Sequence, residues 1–298
     1  MKIKTFLIGV TITSVLMAHD DATEIRTDTF HYSVENRQLL EVEFSYGLGE
    51  FVLGANPKGN AIDGTITYAV EKIIPDVRYI RHGAKGILTV DMESIEDQHE
   101  DDELNFSFDL NVRKQINKYK NDIDFLLPST VPTELELDFG LGSAHLDFTG
   151  IRLSSLDIDC GLSDVFMTVS DQNPIRCKKV QLSNGLGDID IRQLGNLRAE
   201  NIDIEVGLGS ASIDFRGQQI YDMNVDIEIG LGAMDIILPE NTNIRIEIYD
   251  NFLSSVEIRD MVKKDDSHWV SPDWKAGRPT IRMSVEIGLG SIDIDLRN

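Results

Sequence analysis

The tripeptide Gly-Leu-Gly begins at Gly47, Gly140, Gly185, Gly207, Gly230 and Gly288, and a near-copy, Gly-Leu-Ser, begins at Gly161. From Gly140 to Gly230 the successive intervals are 21, 24, 22 and 23 residues. A period near 22 residues is the mark of a repeat architecture, in which each unit is one supersecondary element that gains its core by stacking on neighbours.

With the first glycine as position zero, −5 holds Leu135, Leu156, Val180, Ile202, Val225 and Met283, and −3 holds Leu137, Ile158, Leu182, Ile204, Ile227 and Val285. Alternation with period 2 predicts a half-buried strand. After the motif the apolar residues fall at +4 (Ala144, Val165, Ile189, Ala211, Met234, Ile292) and +6 (Leu146, Met167, Ile191, Ile213, Ile236, Ile294). Inward positions are thus odd before the motif and even after it. A bulge or bent corner absorbs the extra residue without reversing the faces. The expected corner glycines are Gly140 and Gly142, Gly185 and Gly187, Gly207 and Gly209, Gly230 and Gly232, and Gly288 and Gly290. The second of each pair can take positive φ, and the leucine between them is expected to plug into the core. As a phosphate cradle the motif fails, because a strand follows it and not a helix.

A degraded copy, FLSSVEI (252–258), has Phe252 and Ser254 in place of glycines. The last copy, at 288, follows an insertion, VKKDDSHWVSPDWKAG (262–277). Near the other end, RQLLEVEFSYGLGEFVLGA (37–55) is a full copy separated from the rest by a strand-rich excursion. The expected fold is mostly β: a single-stranded β-solenoid with coils of about 22 residues and GLG corners, plus an N-terminal β cap. The expected division is an export signal over 1–22, a cap with one isolated repeat over 23–130, and the solenoid domain over 131–298. Such a cap covers the open end of a stack, where strand edges are unpaired.

The signal expectation rests on MKIKTFLIGVTITSVLMA, in which Lys2 and Lys4 precede an apolar run too short to span a bilayer comfortably. No cysteine follows that run, which argues against a lipid anchor. The chain is therefore expected to be exported, to the periplasm or the cell surface, with no membrane helix in the mature part. Its 51 acidic residues against 28 basic ones give a net charge of −23. That surface repels nucleic acid and anionic lipid, and it favours cationic partners or divalent metals.

An exported chain with two cysteines invites a Cys160–Cys177 bridge. The repeat register opposes it. Cys160 takes the −1 seat, Cys177 the −8 seat of the next coil, and seven strand residues span about 23 Å. A disulfide needs Cα atoms within about 7 Å.

The order of these parts resembles the toast-rack domain family of bacterial envelope proteins. The resemblance is carried by VEFSYGLGEFVL, VPTELELDFGLGSAHLDFTGIRLSSLDIDCGLSD and the further GLG coils. The ending, LPENTNIRIEIYDNFLSSVEI…WVSPDW…IRMSVEIGLGSIDID, is similar to the C-terminal domain of LiaF-type proteins, and the likeness spans about residues 35–298. It implies a non-catalytic envelope module linked to the response to cell-wall-active antibiotics. LiaF-type proteins carry several membrane helices before this domain, and this sequence has none.

Outward positions form acidic ladders: Asp138, Asp159, Glu205, Glu228 and Glu286 before the corner, and Asp147, Asp190, Asp214, Asp235, Asp293 and Asp295 after it. They fit either a solvated face or a surface for Ca²⁺, the one cofactor the composition suggests. Neither a GGxGxD repeat nor an EF-hand loop is present. The six histidines (His19, His31, His82, His99, His145, His268) show no metal-ligand spacing, and no GxSxG elbow occurs. No catalytic residue, and hence no enzyme, is expected. A carbohydrate-active enzyme using paired carboxylates is the remote alternative, and an adhesin-like surface protein the nearer one. Candidate contacts for a protein or envelope partner are Asp214, Glu228 and Asp235 on the acidic face, with Trp269 and Trp274 in the insertion. The two tryptophans equally suit a lid on the last coil.

Overall fold

A computed structural model of the chain describes residues 24–94, 121–218, 220–249 and 254–298. The expected signal segment, His19, His99, Phe252 and most of the acidic stretch 93–103 lie outside the described residues. Most of the described residues lie in strands: β1 (Ile25–Ser33), β2 (Leu39–Ala55), β3 (Ala61–Ala69), β4 (Ile73–His82), β5 (Lys85–Ser94), β6 (Asp122–Leu127), β7 (Thr133–Asp147), β8 (Leu153–Thr168), β9 (Cys177–Arg192), β10 (Ala199–Asp214), β11 (Met223–Pro239), β12 (Asn243–Tyr249), β13 (Ser254–Ile258), β14 (Val262–Lys263), β15 (His268–Val270) and β16 (Thr280–Arg297). They form one large open mixed sheet, β-solenoid-like in its stacked repeats.

Seven long strands, β2, β7 to β11 and β16, each carry a corner and stack in parallel, like residue on like residue. The isolated repeat β2 pairs with β7 from Leu40↔Thr133 to Leu53↔Leu146, so it is the first full rung. In β10, Ile202, Ile204 and Val206 before the corner and Ala211 and Ile213 after it are all buried. Both arms of every rung feed one hydrophobic core, as the parity shift requires. On the return side, buried amides tie the turns: Asn196 donates to the carbonyls of Val169 and Ser170, and Asn173 to those of Leu153 and Leu197. Cys160 and Cys177 are both free and buried, in agreement with the register. Burial pushes the Cys177 thiol up to about 12.

The corner glycines answer to two needs. At Gly49, Gly142, Gly187, Gly209 and Gly290 the second glycine takes positive φ, +146° at Gly142 and +136° at Gly290, a region costly for any residue with a Cβ. Adjacent rungs also meet closely here. A Cβ on Gly140 would lie 2.6 Å from the carbonyl oxygen of Gly47, and one on Gly290 would lie 1.7 Å from that of Gly232.

Two expectations are corrected. The corner leucine does not enter the core: Leu162, Leu186, Leu208, Leu231 and Leu289 are 41, 41, 43, 48 and 39% exposed. Period-2 alternation stops at the bend, where positions 0 to +3 of β10 all lie outside the buried core, and it resumes at +4. The extra residue is absorbed on the outside of the corner. The rungs also do not stack in chain order, because β16 inserts between β11 and β12. The glycine-bearing copy thereby sits on β11, where Gly288 and Gly290 permit the close approach to Gly230 and Gly232. The degraded copy is displaced to the end.

At each end of the stack, two separate strands pair with the two arms of the outermost long strand. At one end β5 pairs with the first arm of β2 and β6 with its second arm. At the other, β12 and β13 pair with the two arms of β16, with Ser254 opposite Gly290. Antiparallel strands then pair with these in turn: β4 on β5 and β3 on β6 at the first end, β15 on β12 at the second.

Candidate functional site

In-register stacking converts each outward repeat position into a row of side chains about 4.8 Å apart. Position −2 gives the row Ser45, Asp138, Asp159, Ser183, Glu205, Glu228, Glu286. Its five carboxylates are exposed, and among the described residues none makes an ion pair. Position +1 gives the row Leu48, Leu141, Leu162, Leu186, Leu208, Leu231, Leu289.

The acidic positions beyond the corner are built differently. Asp190 pairs with Arg192 at 2.9 Å, Asp214 with Arg216 at 2.8 Å and Asp295 with Arg297 at 2.6 Å. Each arginine lies two residues on: Arg192 and Arg297 are the last residues of β9 and β16, and Arg216 follows the end of β10. Arg259 adds Asp295 at 3.0 Å and Glu257 at 2.8 Å. Hydrogen bonds from Arg297, supported by Arg259, hold the Asp295 carboxyl below the usual carboxylate range. The same carboxylates raise the Arg259 guanidinium, its bond to Glu257 most of all.

The sequence candidates therefore separate. Asp214 is buried, holds Arg216 through both carboxylate oxygens and accepts the Arg216 backbone N–H at 2.8 Å. It is a structural ion pair, not a free contact. Glu228 belongs to the unpaired row, flanked by Glu205 and Glu286. Asp235 is exposed and stacks against Asp293. Trp269, on β15 opposite Ile246, is half-buried against the core, with the Lys263 ammonium 5.2 Å from its ring centre. Trp274 is 45% exposed. One tryptophan serves as lid and the other faces solvent.

Sequence reasoning missed the exposure of the leucine row, since period 2 was carried through the bend. It also missed the Asp-x-Arg pairs, which were legible as Asp190-Ile191-Arg192, Asp214-Phe215-Arg216 and Asp295-Leu296-Arg297. A third feature is an apolar patch beyond the corner, where the His145 and Phe166 rings stack at 5.0 Å over a shallow groove of about 390 Å³. Among the described residues no group of three or more His, Cys, Asp or Glu side chains is arranged to hold a metal ion. No helix among them is long and apolar enough to cross a membrane.

Stacked, bent strands with glycine corners define a repeat β-protein that presents long rows of like side chains. The chain belongs to the toast-rack family: residues 20–192 match the N-terminal domain of toast_rack, DUF2154. No curated protein matches it. Among solved structures it is similar to a candidate cell adhesion protein from Clostridium sporogenes, at 14% identity and a TM-score of 0.46, covering 92% of this chain and 100% of that one. It is also similar to a candidate adhesin from Bacteroides fragilis, at 14% identity and a TM-score of 0.38, covering 90% and 97%. Likeness at this level says nothing about function.

Proposed function

We propose that this protein is a non-catalytic binding or scaffolding module, exported to the bacterial envelope or cell surface and tied to the envelope-stress response. The observation that carries the reading is the row of five −2 carboxylates on seven stacked rungs, without an ion pair among the described residues. Carboxylates held about 4.8 Å apart repel one another and contribute nothing to folding, yet Asp190, Asp214 and Asp295 are each neutralised by an arginine two residues on. A face kept charged in this way suits contact with a cationic partner. The stress link follows from the resemblance to LiaF-type proteins.

In-cell crosslinking tests the reading. Wild type is compared with a variant carrying E205Q, E228Q and E286Q. The expected result is capture of one envelope protein, identified by mass spectrometry, by the wild type and its loss from the variant. Recovery of the exported chain with no specific companion, or an identical set from both, would count against it.

A further inference from the structure

We infer that the leucine row and the carboxylate row beside it form one docking strip, and that its occupant is a cationic amphipathic helix of a protein partner. This rests on the reading of the chain as a binding module and specifies the face and the chemistry.

The position itself is the first argument. Seven of seven rungs carry Leu at +1. Two positions on, at the equally outward +3, the residues are Glu50, Ser143, Asp164, Asp188, Ser210, Ala233 and Ser291. An outward site that accepts anything polar thus adjoins one that is always apolar, and five of its leucines remain 39 to 48% exposed. Seven rungs make a strip about 29 Å long, an unusually continuous apolar row for so acidic a surface.

Charge and geometry then select the occupant. On one side of the leucines stand Asp138, Asp159, Glu205, Glu228 and Glu286, so a partner must bring apolar residues with cations beside them. A second copy of this chain brings the same net charge of −23 and is repelled. Anionic lipid and nucleic acid are repelled likewise. An added β-strand needs a free edge, but β8 to β11 are paired on both sides through the corner. A helix needs only a row of side chains. Its apolar stripe recurs about every 5.3 Å along the axis, close to the rung spacing of about 4.8 Å. About 19 helical residues cover the strip. Lysines or arginines flanking that stripe meet the −2 row.

The test is a titration of the full chain with a 19-residue Leu/Lys peptide of amphipathic helical order, beside a peptide of the same composition with the stripe broken. Two variants run in parallel, L186S/L208S/L231S and E205Q/E228Q/E286Q, their folding checked by circular dichroism and Tm. The expected result is at least about tenfold weaker binding of the helix by each variant and of the broken-stripe peptide by wild type, with affinity falling as salt rises. Equal binding of the two peptides, which is plain polyelectrolyte attraction, would overturn the proposal. So would unchanged binding by either folded variant, or wild type preferring zwitterionic or anionic vesicles to the peptide. If the peptide result is negative while in-cell capture still depends on the carboxylates, the binding-module reading stands and the helix does not.

Discussion

The two arms of β10 and β16 share one core but differ in how their acids are held. Before the corner, five exposed carboxylates at −2 stand in a row without a counter-ion among the described residues. Beyond it, Asp190, Asp214 and Asp295 are each held by an arginine two residues on. Net charge cannot distinguish these arrangements, yet they do different work. Asp190, Asp214 and Asp295 in the second arm fasten the fold. The −2 row of the first arm leaves its acids available. Between them lies the corner, whose glycines join the arms and whose leucine marks the border.

Breaking the junction should have the largest effect. Gly290→Ala places a Cβ 1.7 Å from the Gly232 carbonyl oxygen at φ +136°, and should cost more than about 4 kcal/mol in urea unfolding or prevent folding. Gly47→Ala, with nothing within 4 Å of the added Cβ, should cost less than about 1 kcal/mol. Next comes the contrast of core and border. Ile204→Ala should cost about 2–5 kcal/mol, and Leu208→Ala less than about 1 kcal/mol. Equal losses would return the leucine to the core.

The arms themselves separate at the third level. Asp214→Ala leaves the Arg216 guanidinium and backbone N–H without their acceptor and should destabilise by about 1–3 kcal/mol. Glu228→Gln should lie within about 0.5 kcal/mol of wild type, on the stabilising side at low salt. Acid titration of stability sharpens the same contrast. Asp295, through Arg297, and Asp222, through the Thr280 backbone N–H and Arg282, titrate below their unfolded values. The stability they add is present above the unfolded carboxylate range and is lost as pH falls through their depressed folded values. Replacing Arg297 by Met should therefore flatten the acid limb of a Tm-versus-pH curve.

Much of this was legible in the sequence, for a physical reason. Side chains of a strand alternate strictly, so Ile202, Ile204, Ala211 and Ile213 announced their burial and the parity shift announced a bend. Leu208 was misplaced because alternation describes straight strands and the corner is not one. The insertion of β16 between β11 and β12 could not be read from chain order, although the glycines at 288 and 290 and their loss at 252 and 254 hold the cause. Asp214 was grouped with Glu228 because both are outward acids in the same pattern. Only the arginine at 216, two residues on, separates the fastened acid from the free one.

The most direct test places a photo-crosslinking residue at Glu228 in the first arm and, separately, at Asp235 in the second, in the full chain in living cells. Capture of one identified partner through a cationic helical segment from position 228, and not from 235, is the predicted result. Capture from 235 alone, or equally from both, would contradict the assignment of the contact face to the first arm.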